Sequence, residues 1–297
     1  MSDKTRTIFK KNSKSFFFAG IFLNDQTFKN SSILYEFCRY IDDLADKKNK
    51  DKKIRVKKVM DNVIEGKGNL KIKKILSLIN NKTINKIHLL QLIEGIRYDL
   101  RKKVRIKSDK ELISYAYLVA GTVGLMMSDI LKVKNKVAKK YALDLGIAFQ
   151  LTNIARDILE DANINRIYFP ENWYKLKAND VTNPDSKKKR VLITLTKRIL
   201  IMAEKYYKSS LKGLAFLGLK NRFAIFLALI IYRQIGLKII KKGFSNLNKR
   251  EKVSLMGKFF CLLKCIILFS INIKIHTKNY NHDDKLHYYI RDIVIID

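Results

Sequence analysis

The feature that most constrains this chain is the near absence of residues that interrupt helices. Only 2 of the 297 residues are proline, and both lie within residues 163–184. Proline removes a helical hydrogen bond and clashes with the preceding turn, so stretches without it are free to form long helices. Apolar residues recur at helical spacing through most of the remaining sequence. The chain is therefore predicted to be all-α.

The apolar periodicity also gives approximate positions for the helices. It predicts helices over residues 27–46, 54–65, 70–79, 83–100, 109–131, 136–162, 187–217, 221–242 and 249–270. Residues 163–184 are expected to be rich in loops, and the sequence after residue 271 is less regular. Because no repeat or long linker divides the chain, we expect one catalytic domain over 1–270 and a divergent C-terminal tail over 271–297.

Two acidic clusters stand out in a chain whose formal net charge is +34. Residues 42–46 read Asp-Asp-Leu-Ala-Asp, and residues 157–161 read Asp-Ile-Leu-Glu-Asp. Each has aspartates at i and i+4, which project from one face of a helix. Ordinary ion pairs on a solvated face would explain one such cluster. Two clusters, each flanked by apolar helix, favour carboxylates that hold Mg²⁺ around a diphosphate.

The residues beside these clusters fit the same chemistry. Asn153, Asp157 and Asp161 follow one another at i+4 steps, with Gln150 one turn earlier, so they form a stripe of oxygen donors. Burying such a stripe is unfavourable unless a cation satisfies it. Arg39 borders the first cluster, and arginine recognises phosphate oxygens in a bidentate manner.

The charge excess by itself does not identify a partner. Lys and Arg number 61 against 27 Asp and Glu. An anionic partner would explain this excess, and so would a lysine-rich solvated surface. The lysines are scattered and accompany no nucleic-acid-binding motif, so no nucleic-acid partner is expected. The 3 cysteines form no disulfide or zinc-finger pattern, which favours a cytoplasmic location.

One apolar stretch points to a lipid surface. Residues 259–273 are apolar but short, and Lys264 interrupts them, so a membrane span is not expected. A buried helix or a helix lying on a membrane surface would fit this pattern. Peripheral association with the inner face of the cytoplasmic membrane is therefore an expectation.

Several segments match the motifs of one family in the same order. They are residues 12–16 (Asn-Ser-Lys-Ser-Phe), 38–46 (Cys-Arg-Tyr-Ile-Asp-Asp-Leu-Ala-Asp), 117–124 (Tyr-Leu-Val-Ala-Gly-Thr-Val-Gly), 150–157 (Gln-Leu-Thr-Asn-Ile-Ala-Arg-Asp) and 166–170 (Arg-Ile-Tyr-Phe-Pro). The chain resembles the squalene/phytoene synthase family of head-to-head trans-prenyltransferases, and within it the bacterial phytoene synthases. The acidic motifs alone would fit any prenyl-diphosphate enzyme, whereas the third and fifth segments are specific to this family.

The resemblance implies a fold and a set of site residues. The implied fold is a single-domain, isoprenoid-synthase-type helical bundle around a central cavity. The implied metal ligands are Asp42, Asp46, Asn153, Asp157 and Asp161. The implied catalytic residues are Asp42, Asp46, Asp157, Asp161 and Tyr117. The implied contacts to two prenyl diphosphates come from Asn12, Ser13, Lys14, Ser15, Phe16, Tyr35, Arg39, Gln150, Arg156, Tyr232 and Arg233.

The resemblance also implies an activity. The expected reaction joins two geranylgeranyl diphosphates into phytoene through a cyclopropylcarbinyl diphosphate, with Mg²⁺ as the cofactor and Mn²⁺ as a substitute. The alternatives are a C30 squalene or dehydrosqualene synthase and a non-catalytic scaffold protein. The sequence has no Gly-x-Gly-x-x-Gly fingerprint, and NADPH is not expected.

Small residues bear on the length of the substrate. Gly20 and Ser32 are expected at the end of the tunnel, where they would leave room for a C20 chain. Gly121 and Gly124 have two interpretations, which are the passage of a prenyl chain and close packing between helices.

Overall fold

The computed structural model describes residues 14–46, 51–244, 247 and 249–296. Its α-helices are α1 (Lys14–Gly20), α2 (Asp25–Asp46), α3 (Lys52–Ile64), α4 (Leu70–Asn80), α5 (Lys86–Tyr98), α6 (Asp109–Ala116), α7 (Thr122–Ile130), α8 (Lys136–Arg156), α9 (Ile158–Asn163), α10 (Ala178–Thr182), α11 (Ser186–Gly213), α12 (Leu219–Lys241) and α13 (Leu255–Ile271). Strands β1 (Val104–Arg105) and β2 (Arg166–Ile167) form one short parallel pair. The all-α prediction is confirmed.

Two of the predicted helices contain irregular turns. The helix predicted over 109–131 is divided into α6 and α7 by a π-helical turn, Tyr117–Gly121. The helix predicted over 136–162 is interrupted at Asp157, whose φ of −103° and ψ of 19° depart from helical values. The backbone N–H of Asp161 still donates to the carbonyl of Asp157, at 2.8 Å. The i+4 spacing of the acidic stripe therefore survives the interruption.

Helix α8 lies at the centre of the fold and packs against α7, α11 and α12. The contact with α7 depends on two glycines. A Cβ atom on Gly124 would overlap the carbonyl group of Ala142, and one on Gly146 would overlap the carbonyl group of Ala120. The backbone of α8 therefore touches α7 at Gly124 and touches the π-helical turn before α7 at Gly146. Gly124 packs closely against α8 and also lines the central cavity, so both of its interpretations stay open.

The C-terminal segment packs on the helical body. The carbonyl of Ile293 accepts a hydrogen bond from the Gln91 amide at 2.8 Å, and that of Leu286 accepts one from the Tyr206 hydroxyl at 2.9 Å. Ile290 is fully buried in the larger hydrophobic cluster. The tail therefore contributes to the core, while the predicted boundary near residue 270 stays a prediction.

Within the described part of the chain, two long helical stretches meet the length and composition of a membrane span. They are Asp109–Ile130 and Leu219–Lys241. More than half of each is buried inside the protein, and both contribute side chains to a central cavity. Their apolar character is therefore accounted for by the core.

Candidate active site

An apolar cavity of about 320 Å³ lies between α1, α2, α7, α8 and α12. The α8 residues that line it are Ala138, Tyr141, Ala142, Leu145, Gly146, Phe149, Gln150 and Asn153. They repeat every three or four positions and thus follow one face of the helix. At 1.5 Å per residue, the stretch from Asn153 back to Ala138 measures about 22 Å. The cavity is therefore a long tunnel with polar residues at one end and with Ala138, Tyr141 and Ala142 toward the other.

The polar end joins the two sequence motifs. Asp42 and Tyr35 reach it from α2, and Gln150 and Asn153 reach it from α8. The Oδ1 atom of Asn153 accepts a hydrogen bond from the Tyr232 hydroxyl at 3.1 Å, and its Nδ2 atom donates to Gln150 Oε1 at 3.3 Å. Residues more than 100 positions apart in the chain therefore place oxygen donors around one opening.

Cys38 lies one turn before Asp42 and also lines the cavity. Burial, together with the nearby Asp42 carboxylate, raises the pKa of the Cys38 thiol well above its usual range. The thiol therefore stays neutral and adds no charge of its own beside Asp42.

Asp157 lies beside this end in a cluster of charges. Arg156 binds its two carboxylate oxygens through Nε and Nη2, at 2.6 Å each. Arg250, from the segment before α13, binds the same oxygens at 2.7 and 3.0 Å. A metal ion at Asp157 must therefore displace or share these guanidinium contacts. Sequence reasoning did not single out Arg250, since nothing local marks it.

Arg156 is a permanent cation at this position. Burial alone would lower its pKa, but the hydrogen bond with Asp157 and the interaction with the Tyr232 hydroxyl outweigh burial, so the pKa is raised. Because Arg156 stays charged, it is suited to bind a diphosphate oxygen.

Asp161 lies one turn beyond Asp157, near a second polar cluster. Its carboxylate, burial and the nearby Asp99 together hold the pKa of Tyr168 far above the usual range, with burial the largest contribution. The Tyr168 hydroxyl donates to Asp99 Oδ1 at 2.7 Å. Asp161 lines a small cleft beside Tyr168 rather than the large cavity.

Three aromatic rings form one wall of the cavity near its polar end. The ring of Phe16 stacks on that of Tyr232 with centroids 4.9 Å apart, and Phe149 lies 4.4 Å from Tyr232 and 5.5 Å from Phe16. Aromatic faces stabilise nearby cations. Phe149 was not among the predicted residues, although its i−4 position relative to Asn153 places it on the same stripe.

Two predicted phosphate-binding arginines lie away from the cavity wall. Arg39 pairs with Asp43 at 2.7 Å on an exposed face of α2. Arg233 makes a bidentate ion pair with Glu204 at 2.6 and 2.8 Å. Both are held by carboxylates of the protein, so their roles in binding a substrate stay predictions.

Tyr117 lies in the packed core. It is fully buried, its hydroxyl donates to Gln91 Oε1 at 2.8 Å, and it does not line the cavity. Burial raises its pKa to about 12. This placement gives it no direct access to a substrate in the cavity. Its catalytic role is an untested prediction that the geometry does not favour.

Five other predicted positions lie outside the described part of the chain. These are Asn12 and Ser13, together with the side chains of Lys14, Ser15 and Asp46. Their assignments stay predictions.

Of the two residues expected at the tunnel end, one lines the cavity and the other does not. Gly20 lines the cavity. Ser32 does not, because it is buried on another face of α2, where its hydroxyl donates to the Phe28 carbonyl at 2.7 Å. The neighbouring Ser31 lines the cavity instead. The expectation for Ser32 is therefore wrong by one helical position, which rotates the side chain by about 100°.

Comparison with known proteins identifies the family. The family model for squalene/phytoene synthase matches residues 9–257. The chain belongs to the squalene/phytoene synthase family. The match ends just inside α13, so the C-terminal segment of this family member lies beyond it.

The similar curated proteins are phytoene synthases. The chain is 37% identical to the 15-cis-phytoene synthase of Pantoea ananas over 174 residues, which cover 58% of this chain and 55% of that enzyme. It is 39% identical to that of a Paracoccus species, with coverage of 57% and 56%. The chain thus spans little more than half the length of these relatives.

The fold of this family member is also that of solved structures. A dehydrosqualene synthase in complex with ligand matches with a TM-score of 0.74 and 27% identity, over 90% of this chain and 95% of that one. A squalene synthase from Alicyclobacillus acidocaldarius matches with a TM-score of 0.68 and 19% identity, over 82% and 94% of the two chains.

Proposed function

We propose that this chain condenses two geranylgeranyl diphosphates head to head into phytoene. The observation that carries the proposal is the long apolar cavity whose polar end is built from Asp42 and Asn153. Such a cavity suits a molecule with an anionic head and a long hydrocarbon chain. The curated relatives at 37% identity are named 15-cis-phytoene synthases, which supports the C20 substrate.

The oxygen donors at the polar end fit a divalent metal. Carboxylate and amide oxygens, with substrate phosphates, are the ligands that Mg²⁺ prefers. Asp42, Asn153, Asp157 and Asp161, with Asp46, would hold Mg²⁺, and Mn²⁺ has the same preference for oxygen ligands. The bound metal would neutralise the negative charge that develops on the leaving diphosphate.

The reaction proceeds in two stages. The bond between C1 and oxygen breaks in one substrate, and diphosphate leaves with the bonding electrons. The 2,3 double bond of the second substrate attacks this C1, and loss of a proton closes a cyclopropane ring. The resulting cyclopropylcarbinyl diphosphate loses its own diphosphate, rearranges to a 1-1′ linkage and loses a second proton to give phytoene. These steps need no reductant, which agrees with the expectation that NADPH is not used.

The residues around the cavity have defined tasks in this scheme. Arg156 would bind a departing diphosphate, because it keeps its charge and lies beside Asp157. The rings of Phe16, Phe149 and Tyr232 would stabilise the carbocations through their faces. The apolar lining between α7, α8 and α12 would exclude the water that quenches such cations.

A C30 product from farnesyl diphosphate is the second candidate. The observation that favours it is the 27% identity to a solved dehydrosqualene synthase. The shorter chain would enter the same tunnel and react by the same steps.

An incubation with radiolabelled substrates tests both candidates. We expect phytoene from geranylgeranyl diphosphate in the presence of Mg²⁺ and no hydrocarbon after chelation of the metal. A C30 product from farnesyl diphosphate, with or without NADPH, at higher kcat/KM would replace the first candidate with the second. No hydrocarbon under any of these conditions would contradict the enzyme assignment and favour a scaffold protein.

We further propose that the protein binds the inner face of the cytoplasmic membrane through α13. Helix α13 buries Cys261 and Cys265, but large apolar residues on its other face are between 42% and 77% exposed. These exposed residues are Leu255, Met256, Phe259, Phe260, Leu263, Ile266, Ile267 and Ile271. A helix with such a face on a protein of net charge +34 suits an anionic lipid surface, which would also accept the apolar product.

Vesicle flotation tests the membrane proposal. We expect the protein to float with vesicles of phosphatidylcholine and phosphatidylglycerol, and the double variant Phe259→Ser, Phe260→Ser to float at least about threefold less. Ile201→Ser is the matched control, since Ile201 is 53% exposed on α11. Equal flotation of the wild type and the double variant would contradict the assignment of α13.

A further inference from the structure

At the far end of the cavity, a lining residue contacts the C-terminal segment, which lies beyond the range of the family match. Tyr141 lines the cavity on α8, 12 residues before Asn153, which is about 18 Å along the helix axis. Its side chain is 1% exposed. A Cβ atom on Gly213 would overlap the Cβ of Tyr141, so the aromatic ring lies tightly against the end of α11. Tyr141 therefore forms part of the wall opposite the polar end.

The hydroxyl of Tyr141 is held by the C-terminal segment. It lies 3.1 Å from the carbonyl oxygen of Asn279 and 3.1 Å from that of Asn281. Its ring lies 5.2 Å from that of His282 and 6.4 Å from that of Phe216. The segment that contains residues 279–282 therefore supports the ring from the side away from the cavity.

The same segment is fixed to α8 by a buried ionic cluster. Asp144, one turn after Tyr141, is fully buried. Its two carboxylate oxygens contact His282 Nε2 at 2.9 Å and His287 Nε2 at 2.7 Å, and Ser209 donates to it at 2.5 Å. These distances of 2.5 to 2.9 Å are those of direct hydrogen bonds. They are shorter than the separation of about 3.3 Å between two ligand atoms of one tetrahedral zinc ion. A buried carboxylate with such partners is a strong attachment point.

A second contact on the surface supports this attachment. Lys140, next to Tyr141, forms an ion pair with Asp284 at 2.7 Å. Asp284 also accepts from His282 Nδ1, at 2.8 Å. Residues 140, 141 and 144 of α8 thus form one docking position for residues 279–287, which lie beyond the matched range of 9–257.

We propose that the C-terminal segment sets the depth of the tunnel by holding Tyr141 as its end wall, and so limits the length of the prenyl chain. The proposal rests on the proposed function, because it assigns a length limit to the same substrate cavity. Beyond the ring lie the segment at 279–282 and Phe216, so removing the ring extends the cavity toward the segment. A chain one isoprene unit longer than C20 then gains space.

Substrate competition tests the proposal with three variants of the full chain. Tyr141→Ala removes the wall, and the double variant His282→Ala, His287→Ala releases the segment while keeping the tyrosine. Tyr206→Phe is the matched control, since it loses a hydrogen bond to the same segment at Leu286 but does not line the cavity. The measured quantity is the ratio of kcat/KM for geranylfarnesyl diphosphate (C25) to that for geranylgeranyl diphosphate (C20).

We expect the ratio to rise at least tenfold in Tyr141→Ala and severalfold in the double histidine variant, and to stay unchanged in Tyr206→Phe. An unchanged ratio in Tyr141→Ala would overturn the role of the ring as the end wall. A rise in Tyr141→Ala alone, with the double histidine variant equal to wild type, would overturn the role of the segment. Tyr141→Leu replaces Tyr141→Ala if circular dichroism shows that the latter does not fold.

A binding measurement separates this proposal from the proposed function. Calorimetry with C20 and C25 thiodiphosphate analogues needs no turnover. If the wild type forms no hydrocarbon but Tyr141→Ala binds the C25 analogue at least tenfold more tightly than the wild type does, the reaction assignment fails and the end wall stands. If C20 turnover is normal and the relative affinities do not change, the end wall fails and the reaction assignment stands.

Discussion

At the scale of single residues, two neighbouring aspartates in the first acidic cluster have opposite surroundings. Asp42 lines the cavity beside Tyr35, whereas Asp43 pairs with Arg39 on an exposed face. The two side chains differ by one helical position and therefore point in different directions. Of these two aspartates, Asp42 is the one that lines the cavity where a metal is proposed.

This difference makes Asp43 a control for Asp42. We expect Asp42→Asn to lower kcat by at least about 100-fold, because the loss of a charged ligand weakens stabilisation of the leaving diphosphate. Asp43→Asn should retain activity within about threefold, since an exposed ion pair contributes less than about 1 kcal/mol. Steady-state kinetics at saturating Mg²⁺ measures both, and circular dichroism checks the fold. Equal losses in the two variants would contradict the assignment.

Arg250 is a single residue that would compete with a metal ion for the carboxylate of Asp157. It contacts both oxygens of Asp157 and is partly exposed. Removing one such pair changes free energy by up to about 1 kcal/mol, so Arg250→Gln should tighten the apparent affinity for Mg²⁺ by up to about fivefold. A titration of activity against Mg²⁺ measures the change, with Lys249→Gln as the control. Weaker Mg²⁺ activation in Arg250→Gln would show that the arginine helps to bind substrate instead.

At the scale of elements, the packing of α8 against α7 and the π-helical turn before it tolerates little change. Gly124 and Gly146 leave no room for a methyl group, because Gly124 faces the backbone of α8 and Gly146 faces the backbone of that turn. Overpacking of this kind cannot be relieved by moving a flexible side chain. The stability of the cavity wall therefore depends on two positions without side chains.

We expect Gly146→Ala to destabilise the protein by at least about 2 kcal/mol, because the added methyl group forces the helices apart. Gly218→Ala is the control, since an added Cβ there meets no atom within 4 Å, and it should change stability by less than about 0.5 kcal/mol. Urea unfolding followed by circular dichroism gives both values. A Gly146→Ala variant as stable as Gly218→Ala would mean that the helices separate easily.

At the scale of the whole molecule, the attachment of the C-terminal segment depends on a charged histidine. Burial alone would lower the pKa of His282, but the hydrogen bonds and charges of Asp144 and Asp284 outweigh burial and raise it above 6.5. The charged ring is therefore favoured in the folded protein. Its contribution to stability is complete below pH 6.5 and is lost as the pH rises through the raised value.

Hydrogen exchange should report this loss. After correction for intrinsic rates, amides in residues 279–296 should lose protection as the pH rises from 6.5 through the raised pKa of His282, while those of α4 keep theirs. His282→Gln should remove most of this pH dependence, because glutamine does not titrate. Protection of the segment that stays constant over this rise in pH would contradict a charged His282.

Much of this architecture could be predicted because its signals are local. The prolines and the apolar periodicity located most of the helices, and i+4 spacing identified Asp42 and Asn153. The packing of the segment at 279–287 on α8 could not be predicted. Its partner Asp144 is more than 130 residues away in the sequence, and a local pattern does not indicate such a long-range contact. Arg250 was missed for the same reason. The role of Tyr117 stays a prediction, because a buried aromatic ring has the same sequence signal whether or not it faces a cavity.

The direct contact at Gly124 and Gly146 has a practical consequence for protein engineering. Where the backbones touch, any side chain larger than a hydrogen atom would push the two elements apart. Variation in substrate preference must then come from lining positions that carry side chains, such as Val123 and Met127 on α7, Leu145 on α8 and Tyr141 near the far end. Libraries built to change the product should leave Gly124 and Gly146 unchanged.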